Sequence, residues 1–166
     1  MAIGWGFIGT GNYPNSRIAP AAASAEDTTI IACFSRDQAR ADEFAKTHGA
    51  LAAYTSVDEL LADSRVDVVF VASPNHLHAE HTQLAAKAGK HVFAEKPFTL
   101  TLADAETALG ALASHGLKVG IGHNRRFAPN TVELKRILDA SELGEPVHIE
   151  GQFSANLARY DGTWRT

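Results

Sequence analysis

Gly9-Thr10-Gly11, followed by Asn12 and Tyr13, stands directly behind an apolar run from Ile3 to Ile8. Glycines at such a point allow a tight turn and let a ligand approach the backbone closely, which is what a dinucleotide pyrophosphate requires. The third position of the G-x-G-x-x-G fingerprint is Pro14, so the close packing of helix on strand that a small residue permits is not assured. Pro14 and Pro20 together predict a long loop, with Asn15 or Ser16 capping a helix whose first turn holds Pro20. A glycine turn that holds no ligand is the competing reading.

The next apolar run, Thr28 to Phe34, ends in Ser35-Arg36, and Arg40 follows one turn into a helical stretch. A carboxylate at this strand end would accept from the ribose 2′-hydroxyl of NAD, whereas NADP needs cations and small donors. Arg36 lying over the adenine, with Ser35 and Arg40 on a 2′-phosphate, uses the stacking and fork geometry of the guanidinium. The alternatives are solvated surface charges, or Asp37 as the acidic ribose partner if the strand ends one residue later. Ser73-Pro74-Asn75, with His78 beyond it, closes the most buried-looking run, residues 66–72. Pro and Asn are common in plain helix-starting turns, but strand ends on this edge of a doubly wound sheet are where ligands bind. His76, His78 and His81 resemble a metal cluster, yet i and i+2 positions on a helix point apart and no carboxylate or thiolate partner is evident, so no metal site is expected. Cys33 on its apolar run is a small core residue.

The elements that must position these residues alternate. Apolar runs of strand length at 3–8, 28–34, 66–72, 91–94 and 117–121 are separated by helix-length segments at 39–48, 57–62, 79–88 and 102–115, rich in Ala, Leu, Glu and Lys. Such alternation implies right-handed crossovers onto a parallel sheet. The unbroken row Val68 to Val71 suits a strand buried on both faces. The fold class expected for residues 1–122 is α/β, a Rossmann-like doubly wound parallel sheet with helices on both faces. Residues 123–166 are expected to form a junction helix over 130–140, capped by Asn130, and the first strand of a further domain, in which Val147, Ile149, Gly151 and Phe153 alternate with polar residues.

Composition excludes other classes. Fifteen basic against nineteen acidic residues give a net charge of −4, so there is no basic field for a phosphate backbone and nucleic-acid binding is disfavoured. The single cysteine rules out a disulfide framework or a multi-thiolate metal site and suits the reducing cytoplasm. The N-terminus has no basic n-region and only a short, glycine-broken apolar run, neither a signal peptide nor a membrane span.

Taken together, Gly9-Thr10-Gly11, Ser73-Pro74-Asn75 with His78, Ala88-Gly89-Lys90-His91-Val92, Glu95-Lys96-Pro97, the stretch Gly122-His123-Asn124-Arg125-Arg126-Phe127 and Trp164-Arg165 resemble the glucose-fructose oxidoreductase, inositol dehydrogenase and rhizopine-catabolism family of NAD(P)-dependent sugar oxidoreductases. The resemblance implies that the loop from Ser73 to His78 passes the nicotinamide ribose, that Glu95 and Lys96 flank the nicotinamide, and that Asn124, Trp164 and Arg165 reach its side of the cofactor. It also implies a cis Lys96–Pro97 peptide that aims the lysine into the cleft. Lys96 is the expected catalytic residue: its ammonium can hydrogen-bond a substrate oxygen and favour the alkoxide-like charge that develops as hydride moves. A lysine beside a glutamate is otherwise a solvated pair worth little.

Family members continue into a C-terminal α/β domain that binds substrate and often mediates homo-oligomerisation, and their Asp-x-x-x-His element would lie beyond Thr166. The expectation is therefore the nucleotide-binding half of an NADP-preferring oxidoreductase, with NAD possible, acting on a small-molecule sugar, polyol or related alcohol and inactive alone. The alternative is a non-catalytic dinucleotide-binding or sensing module.

Overall fold

Six parallel strands in the order β3-β2-β1-β4-β5-β6 make the single sheet of the computed structural model, which describes residues 2–152. The strands are β1 (Ile3–Ile8), β2 (Thr28–Phe34), β3 (Ala52–Tyr54), β4 (Val68–Val71), β5 (His91–Ala94) and β6 (Val119–Ile121). The order reverses between β1 and β4, which pair in parallel from Trp5↔Val68 to Ile8↔Val71. That reversal creates the crevice in which doubly wound sheets bind ligands.

Along β1 and β4 period-two alternation sends consecutive residues to opposite faces, and β2 contributes to both. Phe7, Ile30, Cys33 and Phe70 pack with Ala19, Ala22, Ala41 and Phe44 on one side, while Ile8, Ile31, Val69 and Val71 join Leu60, Ala85 and Leu112 in the other core. The first core thus takes residues of α1 (Ala19–Ser24) and α2 (Gln38–His48), and the second those of α3 (Val57–Ala62), α4 (His78–Lys87) and α5 (Leu102–Ser114). The expected α/β class and the helices on both faces are what the structure has.

Local side chains start several of these helices. Asp37, Ser56 and Thr101 accept from the backbone N–H three residues on, at 3.1, 3.4 and 3.1 Å, and satisfy donors that a helix start leaves open. Left-handed Gly49 (φ 71°) closes α2.

Four expectations are corrected. Strand β3 was not foreseen, because Ala52–Tyr54 is only three residues long and its alanines carry little strand preference. The segment after the glycine loop is not an extended loop with an Asn15 or Ser16 cap. Helical turns begin at Asn12 and pass through a π-helical turn at Pro14–Ile18 into α1, whose first turn does hold Pro20. In the π turn the Ala19 N–H reaches the Pro14 carbonyl, a wider ladder that accommodates prolines lacking their own donors. Helix α6 (Pro129–Asp139) has Ala128 at its cap position and Pro129 at the start, because the fixed φ of proline preorganises a first turn; Asn130 is not the cap. Residues 147–152 form no strand. Val147 and Ile149 are 98% and 71% exposed, and alternation alone cannot make a strand where no partner among the described residues offers backbone hydrogen bonds. Phe153 lies outside the described residues.

The chain divides into two compact units, the first being Met1–His123. The second begins at Asn124 and carries α6.

Candidate functional site

Gly9 ends β1 at φ 111°, a conformation that side chains disfavour, and a Cβ there would lie 2.7 Å from the Ala72 carbonyl oxygen. Only glycine lets the ends of β1 and β4 approach this closely. Its N–H donates to Phe34 O at 3.2 Å, so the turn is also tied to the end of β2. Gly11 differs: a Cβ there would meet nothing within 4 Å of the protein. Beside it opens a cavity of about 290 Å³ lined by Thr10, Gly11, Asn12, Asn15, Arg40, Glu43 and Phe44.

The structure thus brings Thr10, Gly11, Asn12 and Arg40 together. Sequence reasoning missed Asn15, Glu43 and Phe44 as cavity residues. Only the helical spacing of Arg40, Glu43 and Phe44 could have pointed to the last two. Asn15 is held by the ring of His48, whose Nε2 lies 2.5 Å from Asn15 Oδ1. Ser35 is the first residue past β2, and Arg36 and Arg40 are exposed. Neither guanidinium has an ion-pair partner among the described residues. Asp37, weighed above as a ribose partner, instead caps α2 through Oδ1 on Arg40 N and donates its own N–H to Ser35 Oγ at 3.3 Å.

A second group gathers where β4 and β5 end. Glu95 is half-buried: its Oε2 accepts from Lys96 N at 3.2 Å, and a Cβ on Gly122 would come within 2.9 Å of its Oε1, so glycine at 122 makes room for this carboxylate. Burial pushes the Glu95 carboxyl up from its ordinary range, against the opposing pull of Lys96, His78 and His123. The Tyr13 phenol, on the turn after the glycine loop, is raised first by burial and then by the charge of Glu95. The Lys96 side chain is exposed, and the Lys96–Pro97 peptide is cis.

Ser73, Pro74 and Asn75 occupy the turn between β4 and α4, where Asn75 starts a short 3₁₀ turn. Ser73 Oγ lies 2.8 Å from His81 Nδ1. His78, read above as a cofactor contact, is only 1% exposed, and both its ring nitrogens meet backbone carbonyls, Nδ1 at 2.7 Å from Pro97 O and Nε2 at 2.8 Å from Ser73 O. The ring read above as a cofactor contact is thus enclosed by backbone on both of its nitrogens. Burial lowers the pKa of His81. Among the described residues no group of three or more histidines, cysteines or carboxylates is placed to hold a metal. Asn124 belongs to the second unit, and Trp164 and Arg165 lie outside the described residues.

The donor set fits a dinucleotide. A bare glycine turn opens onto a cavity with a cation at its rim, and a carboxylate–lysine pair waits on a strand two positions along the sheet. A parallel sheet with a glycine loop at its switch point defines the class, a dinucleotide-binding Rossmann domain. A family model described as "Oxidoreductase family, NAD-binding Rossmann fold" matches residues 3–123, and the chain belongs to that family, the glucose-fructose oxidoreductase, inositol dehydrogenase and rhizopine-catabolism group.

The chain is 35% identical over 159 residues to a scyllo-inositol 2-dehydrogenase (NADP(+)) of Bacillus subtilis, covering 96% of this chain and 48% of that one. Among solved structures it resembles KijD10, a 3-ketoreductase from Actinomadura kijaniata in complex with NADP, with TM-score 0.82 and 32% identity over 87% of this chain and 46% of that one. It also resembles a scyllo-inositol dehydrogenase from Lactobacillus casei with bound NAD(H) and scyllo-inositol, with TM-score 0.80 and 29% identity over 87% of this chain and 43% of that one. The chain spans about half the length of the curated relatives it matches. No helix among the described residues is long and apolar enough to cross a membrane.

Proposed function

We propose that this chain is the nucleotide-binding part of an NADP-preferring oxidoreductase that moves hydride between nicotinamide and a sugar, polyol or related alcohol. The observation that carries the reading is Arg40 at the rim of the glycine-loop cavity, with Ser35 at the strand end and Asp37 committed to capping α2. The carboxylate that would suit a bare ribose has one oxygen engaged in the cap, and the cavity lining offers a guanidinium that suits a 2′-phosphate. Gly9, Thr10, Gly11, Asn12 and Tyr13 form the pyrophosphate turn, with Arg36 against the adenine. Ser73, Pro74 and Asn75 border the nicotinamide ribose.

The nicotinamide supplies the hydride chemistry when bound. Lys96 holds a proton at Nζ and donates it in a hydrogen bond to the substrate oxygen, where negative charge develops. Glu95, through its contact with Lys96 N, fixes the turn that carries the lysine. In this reading residues from 123 onward begin the substrate-binding domain. The lone buried cysteine fits a cytoplasmic setting. Titration of the chain with NADPH and NADH, followed by nicotinamide fluorescence, tests the assignment. NADPH is expected to bind at least about tenfold tighter, since charge-assisted contacts exceed neutral ones. Equal affinities or tighter NADH binding would refute the preference.

A further inference from the structure

We infer that His78 is a positioning residue that ties the Ser73 turn to the Lys96–Pro97 turn and so sets the nicotinamide end of the site. The inference rests on the reading of those turns as nicotinamide-flanking. Strands β4 and β5 run in register from Val68↔His91 to Val71↔Ala94, and the last backbone bond between them is Glu95 N to Val71 O at 2.9 Å. Beyond it the two chains part, one into the turn at 72–77 and the other into 95–101. No strand ladder holds them at a common spacing there, and a loose pair of turns would let the lysine wander.

His78 closes that gap. It is the first residue of α4, and its ring reaches back to a carbonyl five residues earlier and across to one nineteen residues later. Both partners are carbonyl oxygens, which only accept, so the ring donates through the nitrogen that carries the proton and packs its other edge against the second carbonyl, spanning the two turns at a fixed length. Pro97 adjoins Lys96, so the clamped carbonyl lies one residue from the group read as catalytic. The neighbouring His81, one turn along α4, holds the Ser73 side chain through Oγ at 2.8 Å. Ser73 is therefore gripped at its carbonyl by one histidine and at its hydroxyl by the other. Reacting groups must sit within fractions of an ångström of their productive geometry, so a brace this near the chemistry acts through placement rather than contact.

The test compares the native chain with His78→Phe, which keeps a planar ring and removes both ring nitrogens, and His78→Gln, which keeps an amide donor. Each is titrated by calorimetry with NADPH and with 2′-phospho-ADP-ribose, which lacks only the nicotinamide; NADH and ADP-ribose form a second pair. Circular dichroism confirms folding. We expect His78→Phe to weaken NADPH binding roughly three- to tenfold, the worth of one or two hydrogen bonds. Its affinity for 2′-phospho-ADP-ribose should stay within about twofold, since the adenosine end is built from other strands. Emission of bound NADPH should shift toward that of the free cofactor, and His78→Gln should recover part of both changes. Equal loss for both ligands would mean that the ring serves only the fold, and no loss for either would mean that it positions nothing. Either overturns the inference. Where His78→Phe does not fold, His78→Gln against the native chain decides on the same contrast. A native chain that binds neither ligand refutes the dinucleotide reading itself, and the role of His78 with it.

Discussion

The two ends of the crevice, proposed to hold the adenosine and the nicotinamide, are built on different physics. At the adenosine end, Ser35, Arg36 and Arg40 stand at the strand end and on the first turn of α2, and both arginines are open to water. At the nicotinamide end, Glu95 is half-buried over Gly122, and His78 is enclosed between two carbonyls. Exposed cations recognise charge over several ångströms and lose strength with salt, whereas buried donors and acceptors hold position and are costly to leave unpaired. In the proposed reading, choice of cofactor falls to adjustable surface charge, while the turns that carry the exposed Lys96 are braced by buried groups.

The sharpest way to break this contrast is to strike the residue that serves both ends. Gly9→Val forces a side chain into a positive-φ position and against Ala72 O, so urea unfolding should show a loss of about 3 kcal/mol or more. Stability close to that of the native chain would mean that the turn can relax and that the two strand ends are not held together as described.

Next in size is a loss confined to the nicotinamide end. Where the protein turns over substrate, Lys96→Ala should lower kcat by about two orders of magnitude or more while the dissociation constant for NADPH stays within about threefold. Steady-state kinetics with cofactor titration separates the two quantities. A variant with full turnover removes Lys96 from the chemistry.

A smaller and purely electrostatic change belongs to the adenosine end. Arg40→Ala should weaken NADPH by about tenfold and NADH by less than about twofold. The gap should shrink as ionic strength rises, because the side chain is exposed. A salt-independent difference would argue for a packing role.

The smallest effect is a pH dependence at Glu95. Its carboxyl is raised by burial, so between the ordinary glutamate value and the raised one the folded chain holds more protons than the unfolded chain. Stability contributed at this site therefore falls as pH rises through that window. Glu95→Gln keeps an oxygen for Lys96 N and should flatten the fall, measured by denaturant melts from pH 4 to 7. A steeper fall in the variant would reverse the assigned sign.

Much of this was legible before any coordinates. Gly9 is readable because a glycine behind an apolar run has few other reasons to be there, and α3 matches its expected limits, Val57–Ala62, because apolar spacing and the Ser56 cap are local signals. Strand β3 was not readable, since Ala52–Tyr54 becomes a strand only by pairing with Ala32, Cys33 and Phe34. Lys90 shows the same limit from another side. It belongs to one of the motifs that carry the family resemblance, yet its ammonium donates to Asp63 O at 3.0 Å and Val66 O at 2.8 Å, before β4 begins rather than at the crevice. Asn15, Glu43 and Phe44 became cavity residues only once α2 lay beside the glycine turn.

The sequence alone determined the alternation of elements, the glycine turn, the strand-end Ser35-Arg36 and the Glu95-Lys96-Pro97 motif, because periodicity, backbone freedom and side-chain chemistry act within a few residues. Tertiary structure decided what those residues do to one another. A histidine in a helix start carries no mark of the carbonyls it will meet, and an aspartate three residues past a strand can equally bind a ribose or cap a helix. Hydrogen bonds across nineteen residues, as from His78 to Pro97, exist only after the sheet has brought two loops together. Their partners are selected by burial and distance in space, which no local pattern encodes.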